Sequence, residues 1–429
     1  MVNRRRFIAA ALALPAAWRA SGGGSAAAGD AAPLIQRAID EAERSGRAVM
    51  IPAGATLISR LTISGDVRLV GAGRSSRLIA LGPGPLLSIG RAESVAIENV
   101  AFDGAGKSPG GEAALIEAKD VSDLRLVDCA LERVQGYGLK LERCGGRVER
   151  SSFRDLSQSA LHSLDATGLT IADNHVDGCG ANGLQIWRST PAYDGAFVRD
   201  NRIERIRADP GGDGPYANAI SVFRAGGVSA HGNMIRGAAF SAIRFNSSSD
   251  ALITNNACFD AGETAIYVEF AYEGAVVSSN MVDGASTGIS AANLDQGGRL
   301  ATVTGNVLRN LTRPLPQGGE NAGVGIHVEA DSEVSGNAVD NAAFAGLTLG
   351  YGAGRSDVIA TANILSNCGY GIAASVAPGA GGATIRGNRI IRARQGAIVG
   401  MEWEKLASPD LVAEAAKYPR LTILGNDMR

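Results

Sequence analysis

The sequence predicts an all-β chain: a right-handed parallel β-helix of about eleven coils, with an amphipathic helix capping its N-terminal end. Three observations carry this. First, an Asn recurs with an apolar residue two places later, as in Leu169-Thr-Ile171-Ala-Asp-Asn174-His-Val176 and Ala383-Thr-Ile385-Arg-Gly-Asn388-Arg-Ile390. The column runs through Asn174, Asn201, Asn233, Asn256, Asn280, Asn306, Asn337, Asn363, Asn388 and Asn426, in steps of 23 to 38 residues. Upstream, Cys129 and Ser151 hold the same place. Second, each unit carries another short strand of period two, such as Gly183-Leu-Gln-Ile-Trp187 and Ala265-Ile-Tyr-Val-Glu269. Period two gives one buried and one outward face, and such a strand must stack on its neighbours to bury its apolar side. Third, 57 Gly stand beside only 14 Pro. That composition suits many tight turns and excludes collagen and Pro-rich linkers. No helical segment recurs per repeat, and the Leu-x-x-Leu-x-Leu pattern of leucine-rich repeats is absent.

Residues 1–28 read as an export signal. Arg4, Arg5 and Arg6 precede a short Ala- and Leu-rich stretch from Phe7 to Ala17, and Ala26 and Ala28 offer a small-x-small cleavage site. The β-helix domain spans 30–429. It begins with a helix in which Leu34, Ile35, Ala38, Ile39 and Ala42 share one face, Pro33 stands near its start and Gly46 ends it. This helix covers the first coil, whose open edge would otherwise invite aggregation. Ser408-Pro409-Asp410 starts a helical insertion over about 408–418, and Leu421 to Asn426 forms a last coil. The Asn column reads as scaffold, because stacked amides satisfy buried turn groups.

With 41 Lys+Arg against 43 Asp+Glu, the chain lacks the basic excess of a nucleic-acid binder. No apolar run is long enough to span a membrane. Five Cys lack Cys-x-x-Cys metal spacing. They read as buried thiols, with Cys129 and Cys144 the one pair worth testing.

Arg4-Arg5-x-Phe7-Ile8 resembles the twin-arginine motif. Ile35 to Ile39, Ile51 to Gly54 and Gly71 to Gly73 resemble the opening of pectin-lyase-like β-helix proteins. Together the chain resembles the twin-arginine-translocated repeat proteins of bacteria. That resemblance implies the β-helix, a periplasmic or secreted location and the twin-arginine export machinery as a partner. It implies no activity, since this fold hosts lyases, hydrolases, epimerases and inert scaffolds. The Asp cluster and Arg-x-Pro-x-x-Arg of pectate lyases are missing, as are the Asp-Asp pair of polygalacturonases and the Asp-Pro-His-Asp of mannuronan epimerases.

The outward face then supplies the candidates. One column reads Lys140, His162, Gln185, Ser221, Arg244, Tyr267, Ser290 and His327; two residues on it reads Glu142, Leu164, Trp187, Phe223, Asn246, Glu269, Ala292 and Glu329. Aromatics beside hydrogen-bonding groups suit sugar rings. Gln185, Trp187, Phe223, Asn246 and Lys140 are the expected substrate-binding residues. Tyr267, Arg244, Glu269 and His162 are the expected catalytic ones, for a uronate lyase or epimerase: Arg244 to neutralise a carboxylate, Tyr267 as base and His162 or Glu269 as proton donor. Loops at 189–198 and 208–217 wall the groove. The expectation is an exported protein that binds, and acts on, an anionic polysaccharide between His162 and Glu269, with no organic cofactor and the metal question open. The alternative is a non-catalytic carbohydrate-binding or envelope scaffold protein. His327 with Glu329 is a second, separate candidate.

Overall fold

A computed structural model describes residues 29–211, 214–315 and 322–429. The expected export signal, residues 1–28, lies outside the described residues, as does Asp213 in the second loop. The fold is an all-β right-handed parallel solenoid of about 14 turns, a few more than the eleven expected. The chain divides into two compact units, to Cys179 and from Gly180.

In the first unit, helix Ala32–Ser45 buries Ala32, Ile35, Ile39 and Ala42 and packs on strands Leu61–Ile63 and Val67–Val70. Asp30 ties the helix start to the turn at Ser59, accepting from the N–H groups of Ala32 and Ser59 at 2.9 Å each. Gly46 ends it in the left-handed region that glycine tolerates. Each following coil has three strands; Val121–Val127, Ala130–Val134 and Tyr137–Glu142 form one. The coils before Cys129 explain the undercount. They lack Asn at the ladder position, where Val100 and Ser76 stand instead: the Ser76 hydroxyl accepts from the Ala72 N–H and donates to the Ile51 carbonyl.

The second unit contains the amide ladder. Asn201, Asn233, Asn256, Asn280, Asn306, Asn337, Asn363 and Asn388 each donate from Nδ2 to Oδ1 of the next Asn at 2.9–3.0 Å. The same Oδ1 also accepts the preceding Asn's backbone N–H. From Asn233 onward, each Nδ2 also reaches a backbone carbonyl of an earlier coil. The left-handed residue is the one before the ladder Asn: Gly232, Asn255, Ser279, Gly305, Gly336, Ala362, Gly387 and Gly425 all have positive φ. Glycine predominates there because a Cβ strains that backbone. Inside, Ile243, Ile266, Ile289, Ile326, Leu347 and Ile372 stack with no exposure. Burying each contributes about 1.5–3 kcal/mol.

The insertion at 408–418 differs from expectation. Strand Lys405–Ser408 folds back antiparallel on Gly396–Glu402, and only one 3-10 turn forms, Ala415–Lys417. Asp410 does cap, accepting from Val412 and Ala413. Leu411 is buried but Val412 is exposed, so no apolar stripe sustains an α-helix.

Candidate functional site

Within the second unit the expected register holds. Gln185 lies opposite Ser221, then Arg244, Tyr267, Ser290, His327 and Thr348 on successive parallel strands. Trp187, Phe223, Asn246 and Glu269 line up likewise. Lys140 and His162 pair in the first unit. There the Tyr137 ring centroid lies 5.8 Å from that of His162 and 5.3 Å from the Lys140 ammonium.

Register does not make these residues a catalytic set. Arg244 is 9% exposed and Glu269 1%. The guanidinium grips Glu269 with two bonds, Nε to Oε1 at 2.7 Å and Nη2 to Oε2 at 2.9 Å. Nη1 reaches Glu263 at 3.3 Å, and Asn246 donates to Glu269 at 2.7 Å. Gly214 covers the pair: a Cβ there would lie 2.8 Å from Arg244 Nη2. A fork already filled by a carboxylate is not available to a uronate. The Tyr267 ring lies 5.0 Å from the guanidinium carbon. Burial, then the charge of Glu269, push its phenol well above the ordinary range, outweighing the opposing effect of Arg244. A base at Tyr267 needs the opposite shift, a phenol brought down toward neutral pH.

The aromatic shelf is also partly consumed. Trp187 and Phe223 meet edge to face at 5.8 Å, and Trp187 Nε1 donates to Ser221 Oγ at 3.2 Å. Arg224 stacks on Phe223 and donates to the Ser189 carbonyl, tying down the extension of strand Leu184–Tyr193. Gln185 is 1% exposed, so no ligand reaches it without movement of its cover.

The open groove lies further along the same face. It has a volume of about 540 Å³. Its floor is Tyr267, Ser290, His327, Thr348 and Ala373, and its walls include Phe344, Tyr351, Trp403, Glu263, Glu329 and Glu404. The second, separate candidate is thus at its centre. His327 Nε2 stands 3.2 Å from Glu329 Oε1, and Nδ1 stands 2.7 Å from Thr348 Oγ1. Because a carboxylate only accepts, Nε2 carries the proton and Nδ1 accepts from the Thr348 hydroxyl in the neutral ring. The Leu294 N–H fixes the other Glu329 oxygen at 2.6 Å. On the wall, Tyr351 and Trp403 meet edge to face at 5.3 Å, and the Tyr351 hydroxyl bonds Glu404. Gly352 admits Trp403: its missing Cβ would stand 2.4 Å from Trp403 Cζ3. No Lys or Arg lines the groove among the described residues. Burial raises the Glu263 carboxyl above its ordinary value, against the attraction of Arg244.

Sequence reasoning missed Tyr351, Trp403 and Glu404. They sit in turns just past the outward columns, and the only signal was an aromatic one or two residues beyond Gly350 and Met401. The five cysteines are buried; Cys129 and Cys144 do not bridge. Among the described residues, no cluster of three or more His, Cys, Asp or Glu is placed to hold a metal ion.

Residues 196–407 match the family model described as NosD, periplasmic copper-binding protein. That is just under half of the chain. No curated protein matches the sequence. The N-terminal fragment of bacteriophage phi29 gene product 12 is 14% identical, with 86% of this chain and 69% of that chain covered and a TM-score of 0.51. ORF18 of Geobacillus virus E2 is 15% identical at a TM-score of 0.48, with 62% of this chain covered; the chain spans only 56% of that protein. DFA-IIIase from Arthrobacter chlorophenolicus A6 in complex with GF2 is 14% identical at a TM-score of 0.49, covering 85% of this chain and 91% of that one. Likeness at these identities speaks to the fold alone, and the phi29 fragment agrees with a parallel β-solenoid.

Proposed function

We propose that this is an exported β-helix protein that binds a saccharide chain, neutral rather than anionic, in the groove around His327 and Glu329. The observation that carries this is the groove's lining: exposed Tyr351 and Trp403 beside Glu329, Glu263 and Glu404, with no Lys or Arg among the described residues. Apolar ring faces of a sugar stack on such a wall, and its hydroxyls donate to the carboxylates. Three carboxylates repel a uronate polymer.

The elimination or epimerisation reading loses support, because Arg244 is already engaged by Glu269 and Tyr267 holds its proton. Hydrolysis by Glu263 with Glu329 is also poorly supported. The two lie two strands and six residues apart, roughly 20 Å between backbones by strand geometry, whereas paired carboxylates work at about 5–9.5 Å. For the copper in the matching family's name, no cluster of three or more His, Cys, Asp or Glu stands ready among the described residues. Soft thiolate sites need accessible, grouped cysteines; these five are buried, and burial pushes Cys129 and Cys258 up to about 12. Export rests on the twin-arginine-like start and on the family's periplasmic description; no described helix is long and apolar enough to cross a membrane.

The test is titration calorimetry with neutral and uronic oligosaccharides. Neutral chains should bind, Trp403→Ala should lose at least tenfold in affinity while folding normally, and Trp187→Ala should not. Tight binding of uronic chains alone, with release of an unsaturated product, would overturn the reading. Replacing Arg4 and Arg5 by Lys should block export.

A further inference from the structure

A second pocket in the same unit shares no lining residue with the groove. Its floor is Arg355, which is only 3% exposed. Arg355 follows the tight turn that leaves strand Ala345–Leu349, in which Tyr351 and Gly354 bridge. Gly350 holds the side chain's base in place: at φ +75° its missing Cβ would lie 2.4 Å from Arg355 Cβ.

The chemistry of this arginine is unlike that of its neighbours. Arg244, nearly as buried, is met by two carboxylates. Arg355 makes no ion pair among the described residues, and its Nε and Nη1 find no hydrogen-bond partner. A buried guanidinium with idle donors is strongly disfavoured unless something satisfies it. The side chain borders a pocket of about 200 Å³, lined also by Arg420, Lys417, Tyr418, Val376, Ala377, Gly379 and Ala380, with no Asp or Glu. Arg420 is anchored by a bond from Nη1 to the Ala380 carbonyl at 3.2 Å. Lys417 is held at the rim by Glu414. The pocket is smaller than the saccharide groove, about 200 Å³ against about 540 Å³, a size that suits one compact ion.

We propose that this pocket is a binding site for a single oxyanion, a phosphate or sulfate group, held by Arg355 from below and Arg420 from the rim. Charge-assisted bonds from a planar fork are the strongest available to such a group. The anion neutralises Arg355 and offsets its repulsion with Arg420. Without it, burial and then Arg420 lower the Arg355 pKa to about 10, so the folded protein already strains against that charge. The inference is independent of the saccharide groove.

The test titrates the full chain with inorganic phosphate and with sulfate by calorimetry, using chloride at equal ionic strength as control. Saturable binding of one ion is expected. Arg355→Met should abolish it, with a melting temperature equal to or above the parent's, because an unpaired buried charge is removed. Arg420→Gln, at the more open rim, should weaken it at least tenfold. Glucose 6-phosphate binding as tightly as phosphate would assign the group to a phosphorylated sugar, and its exclusion would assign a free ion. No saturable signal above chloride, or unchanged affinity in Arg355→Met, would overturn the proposal.

Discussion

Replacing Glu269 by Ala separates a structural role for the Arg244–Glu269 pair from a catalytic one. The side chains are 10% and 2% exposed, so water cannot take over the lost partner. The substitution removes two bonds to the guanidinium and one from Asn246. Only Glu263, at 3.3 Å, remains to face Arg244. Stranding a buried charge costs about 3–5 kcal/mol, and for a unit of this size ~2–4 °C accompany each kcal/mol. The melting temperature should therefore fall by about 6–20 °C. The double variant Arg244→Met with Glu269→Leu should recover most of that loss, since an apolar pair of similar volume is often neutral. The assay is a double-mutant cycle in urea and heat, followed by far-ultraviolet circular dichroism. A single-variant loss below about 1 kcal/mol, the scale of an exposed pair, would refute the reasoning. So would a double variant no more stable than Glu269→Ala.

Three further outcomes are expected. Asn280→Ala deletes four ladder bonds; at ~1 kcal/mol each it should cost about 4 kcal/mol in urea denaturation, against well under ~1 kcal/mol for Asn255→Gly, which keeps the left-handed turn. Because burial raises the Glu263 carboxyl, the folded state binds its proton more tightly than the unfolded state. Stability from this group is full at low pH and declines as pH rises from 4.5 through the raised value, so Glu263→Gln should flatten that part of the wild-type profile; an unchanged slope would count against the burial. All five thiols are buried and should stay silent to an aromatic disulfide reagent in the native protein, then react after denaturation; one fast native thiol would contradict this packing.

The fold was legible because its signals are periodic. Ile243, Ile266 and Ile289 alternate with outward residues, and a one-residue slip would have put them all in solvent. The ladder was legible because Asn recurs where a turn has buried groups to satisfy. The early coils were not, since Ser76 does the same work without a repeating letter. The candidate site was only half readable. Register placed Arg244 beside Tyr267 and Asn246 beside Glu269, and the long reach of arginine across that diagonal could have suggested the Arg244–Glu269 pair. The covering by Gly214 could not be foreseen, because it depends on the path of a loop. The groove's walls likewise come from turns at Tyr351 and Trp403, which obey no strand period.

The side-chain amides of the ladder all point the same way, each handing its hydrogen to the next coil. Such a file is polar, like a row of aligned magnets, and every link in it is chemically alike. A whole rung can therefore be spliced in or out between two asparagines without breaking the file.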